Sequence, residues 1–200
     1  MSDANASIEF LKTASPLRIT VSGEIGSGKS TFAKHLAEDL QIERIYMGLL
    51  NREEAARRGM TVDAFNALIT TDDTFDRQID ALQKEKSQKM ERGIFEGRTS
   101  WHFVENPTVK LFFTIDPRVS AERVLQDASN PNRDKYHSVD EVLEANAGRR
   151  SAENKRYQAY YGLDVYDPKH FDIVVDTSHL TIEEVYATTI EKIVEFLRGK

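Results

Sequence analysis

The sequence predicts an open α/β fold, a mainly parallel five-stranded sheet with helices on both faces, and three observations carry that expectation. Gly23-Glu24-Ile25-Gly26-Ser27-Gly28-Lys29-Ser30 fits G-x-x-x-x-G-K-[ST], with an apolar run (17–21) before it and a helical pattern after it. Val109-Lys110-Leu111-Phe112-Phe113-Thr114-Ile115 is β-branched, aromatic and nearly continuous in apolarity, as suits a parallel strand covered on both faces. Between and beyond these, short apolar runs alternate with helical periodicity, and that alternation specifies crossover connections and a parallel sheet.

The elements follow in order. Residues 1–16 are polar and end in Ser15-Pro16, which reads as a loose arm with a short helical turn around Ile8 to Leu11. The first strand ends at Val21, and Phe32, Leu36 and Leu40 then repeat at helical spacing. Arg44 to Met47 reads as a second strand closed by Gly48, and Leu49 to Arg58 as a helix stopped by Gly59. Thr61 is the expected N-cap of the next helix. From Asp72 to Arg92, Phe75, Ile79, Leu82 and Met90 mark a long amphipathic helix, followed by a brief strand Ile94-Phe95-Glu96 and a Gly97-Arg98 turn. Asp116-Pro117 opens a helix after the strand 109–115. The loop-like stretch 128–137 starts a lid, and Ser138-Val139-Asp140-Glu141 resembles a capping box opening a helix that runs to Gly162. Phe171 to Val175 is the last strand, and a helix from Leu180 closes the chain.

Two hundred residues suit one domain with a small inserted lid, here 17–200 after the arm. With 40% hydrophobic and 30% charged residues and a net charge of −6, a broad nucleic-acid or membrane surface is not expected. No cysteine is present, which excludes disulfides, thiolate metal sites and cysteine nucleophiles. No apolar run reaches membrane-spanning length and the first residues lack a signal-peptide pattern, so the expectation is a cytoplasmic enzyme.

The chemistry follows from the glycine-rich loop. Gly23, Gly26 and Gly28 permit backbone angles that turn successive N–H groups, including those of Ser27 and Thr31, toward phosphate oxygens, and the following helix N-terminus adds partial positive charge. Lys29 is expected to bridge the β- and γ-phosphates of ATP and the Ser30 hydroxyl to ligate Mg²⁺. Ligands of open parallel sheets bind beyond the strands' carboxyl ends, where the glycine-rich loop and Gly97-Arg98 both fall. Arg52, Arg98, Arg149 and Arg156 reach that side from separate turns and helices. Any one alone is commonly a solvated residue, but together they suit a clamp for a second phosphorylated molecule, since the guanidinium fork grips phosphate in a bidentate way.

Several strings together resemble cytidylate kinases of the short, archaeal-like type: the glycine-rich loop, Met47-Gly48-Leu49-Leu50-Asn51-Arg52, the run 57–66, Glu96-Gly97-Arg98, and Lys155-Arg156-Tyr157-Gln158-Ala159-Tyr160-Tyr161-Gly162-Leu163-Asp164. The resemblance covers nearly the whole chain after residue 16. It implies the three-layer P-loop NTPase fold and transfer of the ATP γ-phosphoryl group to CMP or dCMP with Mg²⁺. It also implies a CORE, an acceptor-binding (NMP) segment at about 47–92 and a LID at about 127–160. On the same ground Arg52 and Arg98 would hold the acceptor phosphate, Arg149 and Arg156 would bridge it to the transferring group, and Glu153 would contact the acceptor ribose. Asp127 stands where relatives often carry an arginine, so Arg123 or Arg133 is expected beside the adenine.

A phosphate acceptor is mostly a dianion at neutral pH and can attack without a general base. A hydroxyl acceptor such as shikimate or gluconate would want a carboxylate to take its proton, and Glu96 is expected instead to orient Mg²⁺-bound water or the sugar. For the base, Arg77, Asp76 and Asp80 on the amphipathic helix are the candidates. The alternatives are another small P-loop kinase acting on AMP, UMP or a metabolite, and a nucleotide-binding module without turnover. The small-molecule partners expected are ATP and CMP or dCMP, bound by a monomer.

Overall fold

The computed structural model describes residues 3–69, 72–127 and 136–199. Its first element, helix α1 (Asp3–Thr13), corrects the expected loose arm. Leu11 is fully buried in the main core, with Ile8 and Phe10 packed against it, and the Arg92 guanidinium donates to the Leu11 carbonyl at 3.0 Å. The residues that anchor it are the three apolar side chains Ile8, Phe10 and Leu11, a pattern too short to stand out from a polar terminus.

Strand β1 (Leu17–Gly23) leads into helix α2 (Lys29–Leu40), then β2 (Arg44–Tyr46) and α3 (Met47–Arg57). Helix α4 (Val62–Leu68) starts at Thr61, whose hydroxyl accepts from the Ala64 N–H as expected of the cap. Helix α5 (Thr74–Lys89) precedes β3 (Arg92–Glu96), a single-turn helix α6 (Ser100–Phe103) that the sequence did not announce, and β4 (Val109–Thr114). Helix α7 (Pro117–Gln126) is capped by Asp116, which accepts from the N–H groups of Arg118 and Val119. Helix α8 (Val139–Tyr161) ends at Gly162 in the left-handed region at φ 69°. Its Ser138 cap accepts from Glu141 N–H as expected, but the Glu141 carboxylate reaches one residue further back, to His137 N–H. Strand β5 (Ile173–Asp176) and helix α9 (Ile182–Arg198), which has a full capping box between Thr181 and Glu184, close the chain.

All four strand pairs are parallel, in the order β2-β3-β1-β4-β5. The expected fold is therefore the observed one. Ile19, Val21, Ile94, Leu111 and Phe113 point to one face, where they meet Leu11, Leu36 and Ile190 from α1, α2 and α9. Phe95 and Phe112 point to the other, against Met47 and Tyr157 of α3 and α8, giving three layers. Among the described residues no helix is long and apolar enough to cross a membrane.

Candidate active site

The carboxyl ends of β1 and β3 lie side by side, with Val21 opposite Glu96, so the glycine-rich loop and the Gly97-Arg98 turn start from adjacent points. At Gly23 an added Cβ would stand 2.6 Å from the Phe113 carbonyl oxygen, so no side chain fits there. Gly28, at φ 77°, faces open space at the start of α2, and residues 25–31 line a cavity there. The Ser27 hydroxyl donates to the Glu24 carbonyl at 2.8 Å and Lys29 Nζ to the same oxygen at 3.2 Å, fixing the turn from within. Burial, with the Arg98 and Arg149 guanidinium groups nearby, lowers the Lys29 amine to about 7. Thr31, half-buried, follows at the cavity wall.

Ser30, the expected metal ligand, donates to Glu96, whose other carboxylate oxygen takes the Arg44 side chain. Glu96 is 1% exposed, and both its oxygens are engaged at the loop end of the cavity. Arg44 has no place in the sequence-derived set; its signal is its position at the start of β2, beside β3 in the sheet.

A cavity of about 750 Å³ opens over these strand ends, and Arg52, Arg98, Arg149 and Arg156 all line it. Arg98 donates to the Gly23 carbonyl, joining the β3 turn to the glycine-rich loop. Its Nε donates to Glu153 at 2.7 Å, and Arg149 Nε donates to the other Glu153 oxygen at 2.8 Å. The Tyr166 hydroxyl completes the set at 2.7 Å. Glu153 is 4% exposed and anchors two arginines. Burial works to raise its carboxyl, but Arg98 and Arg149 outweigh that and hold it well below the usual carboxylate range. Arg156 lies with Nε 3.1 Å from Asp76 and its fork directed to Tyr157 and the Asn66 carbonyl.

On α5 the expected apolar stripe is offset by a polar one: Asp76, Asp80, Gln83 and Ser87 are the buried residues. Asp80 accepts from Thr99 at 2.8 Å and Gln83 at 3.0 Å through one oxygen. The other is buried beside the Tyr161 hydroxyl. Burial raises both Asp76 and Asp80 to about 6. Arg77 corrects the expectation placed on it. One residue on from Asp76, it points outward, pairs with Asp73 and takes no part in the cavity wall. Arg123 lines the cavity but spends its fork on the Thr177 and Leu180 carbonyls, bracing the turn before α9. Arg133 lies outside the described residues.

A family model described as the cytidylate kinase-like family matches residues 18–179. This chain belongs to the cytidylate kinase-like family. The resemblance read from its motifs is thereby borne out, and full-length relatives agree. A cytidylate kinase of Pyrococcus furiosus is 34% identical over 171 residues, spanning 86% of this chain and 85% of that protein. A cytidylate kinase of Methanosarcina mazei is 35% identical over 163 residues, spanning 80% and 87%. Among solved structures, a gluconokinase from Sinorhizobium meliloti 1021 superposes with a TM-score of 0.60 at 15% identity over 92% of this chain and 95% of that one. A shikimate kinase from Bacteroides thetaiotaomicron does so with a TM-score of 0.58 at 17% identity, over 91% and 98%. These two share the fold with this member of the cytidylate kinase-like family.

The residues present fit Mg-ATP. The open concavity at Gly28 and the lysine and serine after it suit a polyphosphate. Among the described residues no three His, Asp or Glu side chains gather round a point, so a cation would rest on Ser30, on waters and on the nucleotide's own oxygens.

Proposed function

We propose that this member of the cytidylate kinase-like family transfers the γ-phosphoryl group of ATP to CMP or dCMP, giving ADP and CDP or dCDP. The observation that carries the reading is one cavity in which Lys29 and Ser30 face arginines from four separate elements. In this scheme Gly23, Gly26, Ser27, Gly28, Lys29, Ser30 and Thr31 hold the ATP phosphates, and Arg123 borders the adenine side. The Ser30 hydroxyl would hold Mg²⁺, which would supply charge neutralisation for the nucleotide phosphates. Arg52 and Arg98 grip the acceptor phosphate; Arg98, Arg149 and Arg156 spread their charge over the transferring group. The segment 47–92 serves as the acceptor-binding part and 127–160 as the lid.

The acceptor dianion attacks without a base. That suits Glu96, whose two oxygens are committed to Ser30 and Arg44 and which is therefore not poised to take a hydroxyl proton. The Watson–Crick edge of cytosine offers an exocyclic amine, and Asp80, a residue of the cavity wall, is the acceptor assigned to it. Uracil would present a carbonyl oxygen there, against a carboxylate. The enzyme acts as a cytoplasmic monomer on free nucleotides.

The test is ADP release with Mg-ATP against CMP, dCMP, UMP, AMP, GMP and shikimate in parallel. Fastest turnover with CMP or dCMP is expected. Preference for shikimate would overturn the acceptor assignment, and ATP binding without turnover on any acceptor would leave a nucleotide-binding module.

A further inference from the structure

Three of the arginines lining this cavity, and Arg44 behind it, have a carboxylate beside them: Arg44 has Glu96, Arg98 and Arg149 share Glu153, and Arg156 has Asp76. Arg52 is different. Among the described residues its partner is a neutral one, the Tyr46 hydroxyl, to which its terminal nitrogen donates. Its guanidinium also stands over the Tyr46 ring, 4.8 Å from the centroid. Arg44 takes a second place on the same ring at 4.3 Å. One aromatic side chain thus carries two guanidinium groups on its π-system, each held by the attraction of a cation to the ring face.

The hydroxyl has a second neighbour. Ser30 Oγ lies 3.5 Å from Tyr46 Oη. The Ser30 proton is committed to Glu96, which as a carboxylate can only accept, so the Tyr46 proton is free to turn toward Ser30 Oγ. The contacts then run in one direction, from Arg52 to Tyr46 to Ser30 to Glu96, and Arg44 closes the set by binding both Glu96 and the Tyr46 ring. Gly48 makes room for this ring, since a Cβ there would stand 2.7 Å from the Tyr46 Cε2 atom.

We propose that Tyr46 is the positioning residue of the acceptor-phosphate subsite, holding Arg52 aimed into the cavity and tying it to the phosphate-loop hydroxyl at Ser30. The inference rests on the function proposed above. An arginine without a carboxylate has its charge uncompensated for an incoming dianion, but its long side chain would otherwise have to be ordered on binding, which costs affinity. The Tyr46 ring and hydroxyl supply that order beforehand without neutralising the charge.

The experiment is a double-mutant cycle of Y46F and R52A, read by calorimetric titration of CMP into the nucleotide-free protein and by steady-state kinetics. Y46F keeps the ring and the fold. It should weaken CMP binding about fivefold to tenfold and raise the CMP KM in step, with kcat and the ATP KM within about twofold. R52A should weaken CMP more, and Y46F added to R52A should cost nothing further. Independent, additive losses would overturn the proposal, as would unchanged or tighter CMP binding in Y46F, or a loss that falls on ATP. If the parent protein binds AMP and not CMP, the base assignment fails and the cycle is read with AMP; if it binds shikimate and no nucleoside monophosphate, the function reading fails and the acceptor-phosphate role of Tyr46 with it.

Discussion

Glu153 of α8 accepts from Arg98 at 2.7 Å through one oxygen and from Arg149 at 2.8 Å through the other, so one buried carboxylate sets the spacing of two cations. Removing its charge while keeping its shape should therefore damage both fold and chemistry. E153Q is expected to lose about 3 kcal/mol of stability at pH 7, the cost of breaking one partner out of a buried ion pair. The folded carboxyl sits below its ordinary value of 4.5, so this stabilisation is full above pH 4.5 and fades as the pH falls below it. Urea melts at pH 7 and pH 3 check this: the gap between parent and variant should narrow at the lower pH.

Lys29 gives the opposite sign. Its folded amine titrates near 7 against 10.5 when free, so the packed cation costs stability in full below pH 7, and the cost dwindles between pH 7 and 10.5. K29M should unfold at a higher temperature than the parent at pH 6, by on the order of 2 kcal/mol, with the advantage shrinking toward pH 10. The same variant should lose phosphoryl transfer by more than about a hundredfold while its circular dichroism is unchanged.

Asp80 is raised from 3.8 to about 6, so its contribution to stability is present below pH 3.8 and lost as the pH climbs through 6. D80N does not titrate there, and its stability relative to the parent should rise with pH across that window. Its ratio of kcat/KM for CMP over UMP should fall about tenfold, the value of one hydrogen bond to a charged group. A preserved ratio would remove Asp80 from base reading.

Arg156 is joined to α5 through Asp76, on the acceptor side. R156A should lower kcat/KM for CMP by about a hundredfold or more, with ATP affinity within threefold. Equal losses for both nucleotides would mean that the residue serves the fold or the donor end.

Leu11 tests the amino-terminal helix. L11A should cost about 3 kcal/mol if the helix is part of the core in solution, because the side chain is wholly buried there. A change below about 0.5 kcal/mol would return residues 3–13 to the status of an arm.

The parts of this molecule that were legible from sequence are those whose physics is local. The glycine-rich loop needs particular residues at fixed spacing, and the continuous apolarity of 109–115 could only be a covered strand. The offset stripe on α5 was not legible, because Asp76, Asp80, Gln83 and Ser87 repeat at helical spacing but are polar, and hydrophobic patterning assigns such residues to solvent. They are buried because Thr99 and Ser100, 17 to 19 positions on, satisfy Asp80 and Gln83, a pairing that no window of sequence contains. Arg77 was misassigned for the same reason: adjacent helical residues do not share a face. The roles of Glu153 and Tyr166 depend on α8 and the following loop meeting the β3 turn, which only the tertiary fold decides.

The in-register pairing of Val21 with Glu96 has a further consequence. The Gly97 N–H donates to the Val21 carbonyl, and the Ser22 hydroxyl to the Gly97 carbonyl, so main-chain atoms of two neighbouring strands carry most of the link between the two turns. The span between the glycine-rich loop and the Arg98 turn is thus inherited from the sheet, while Arg52 reaches the same cavity from α3.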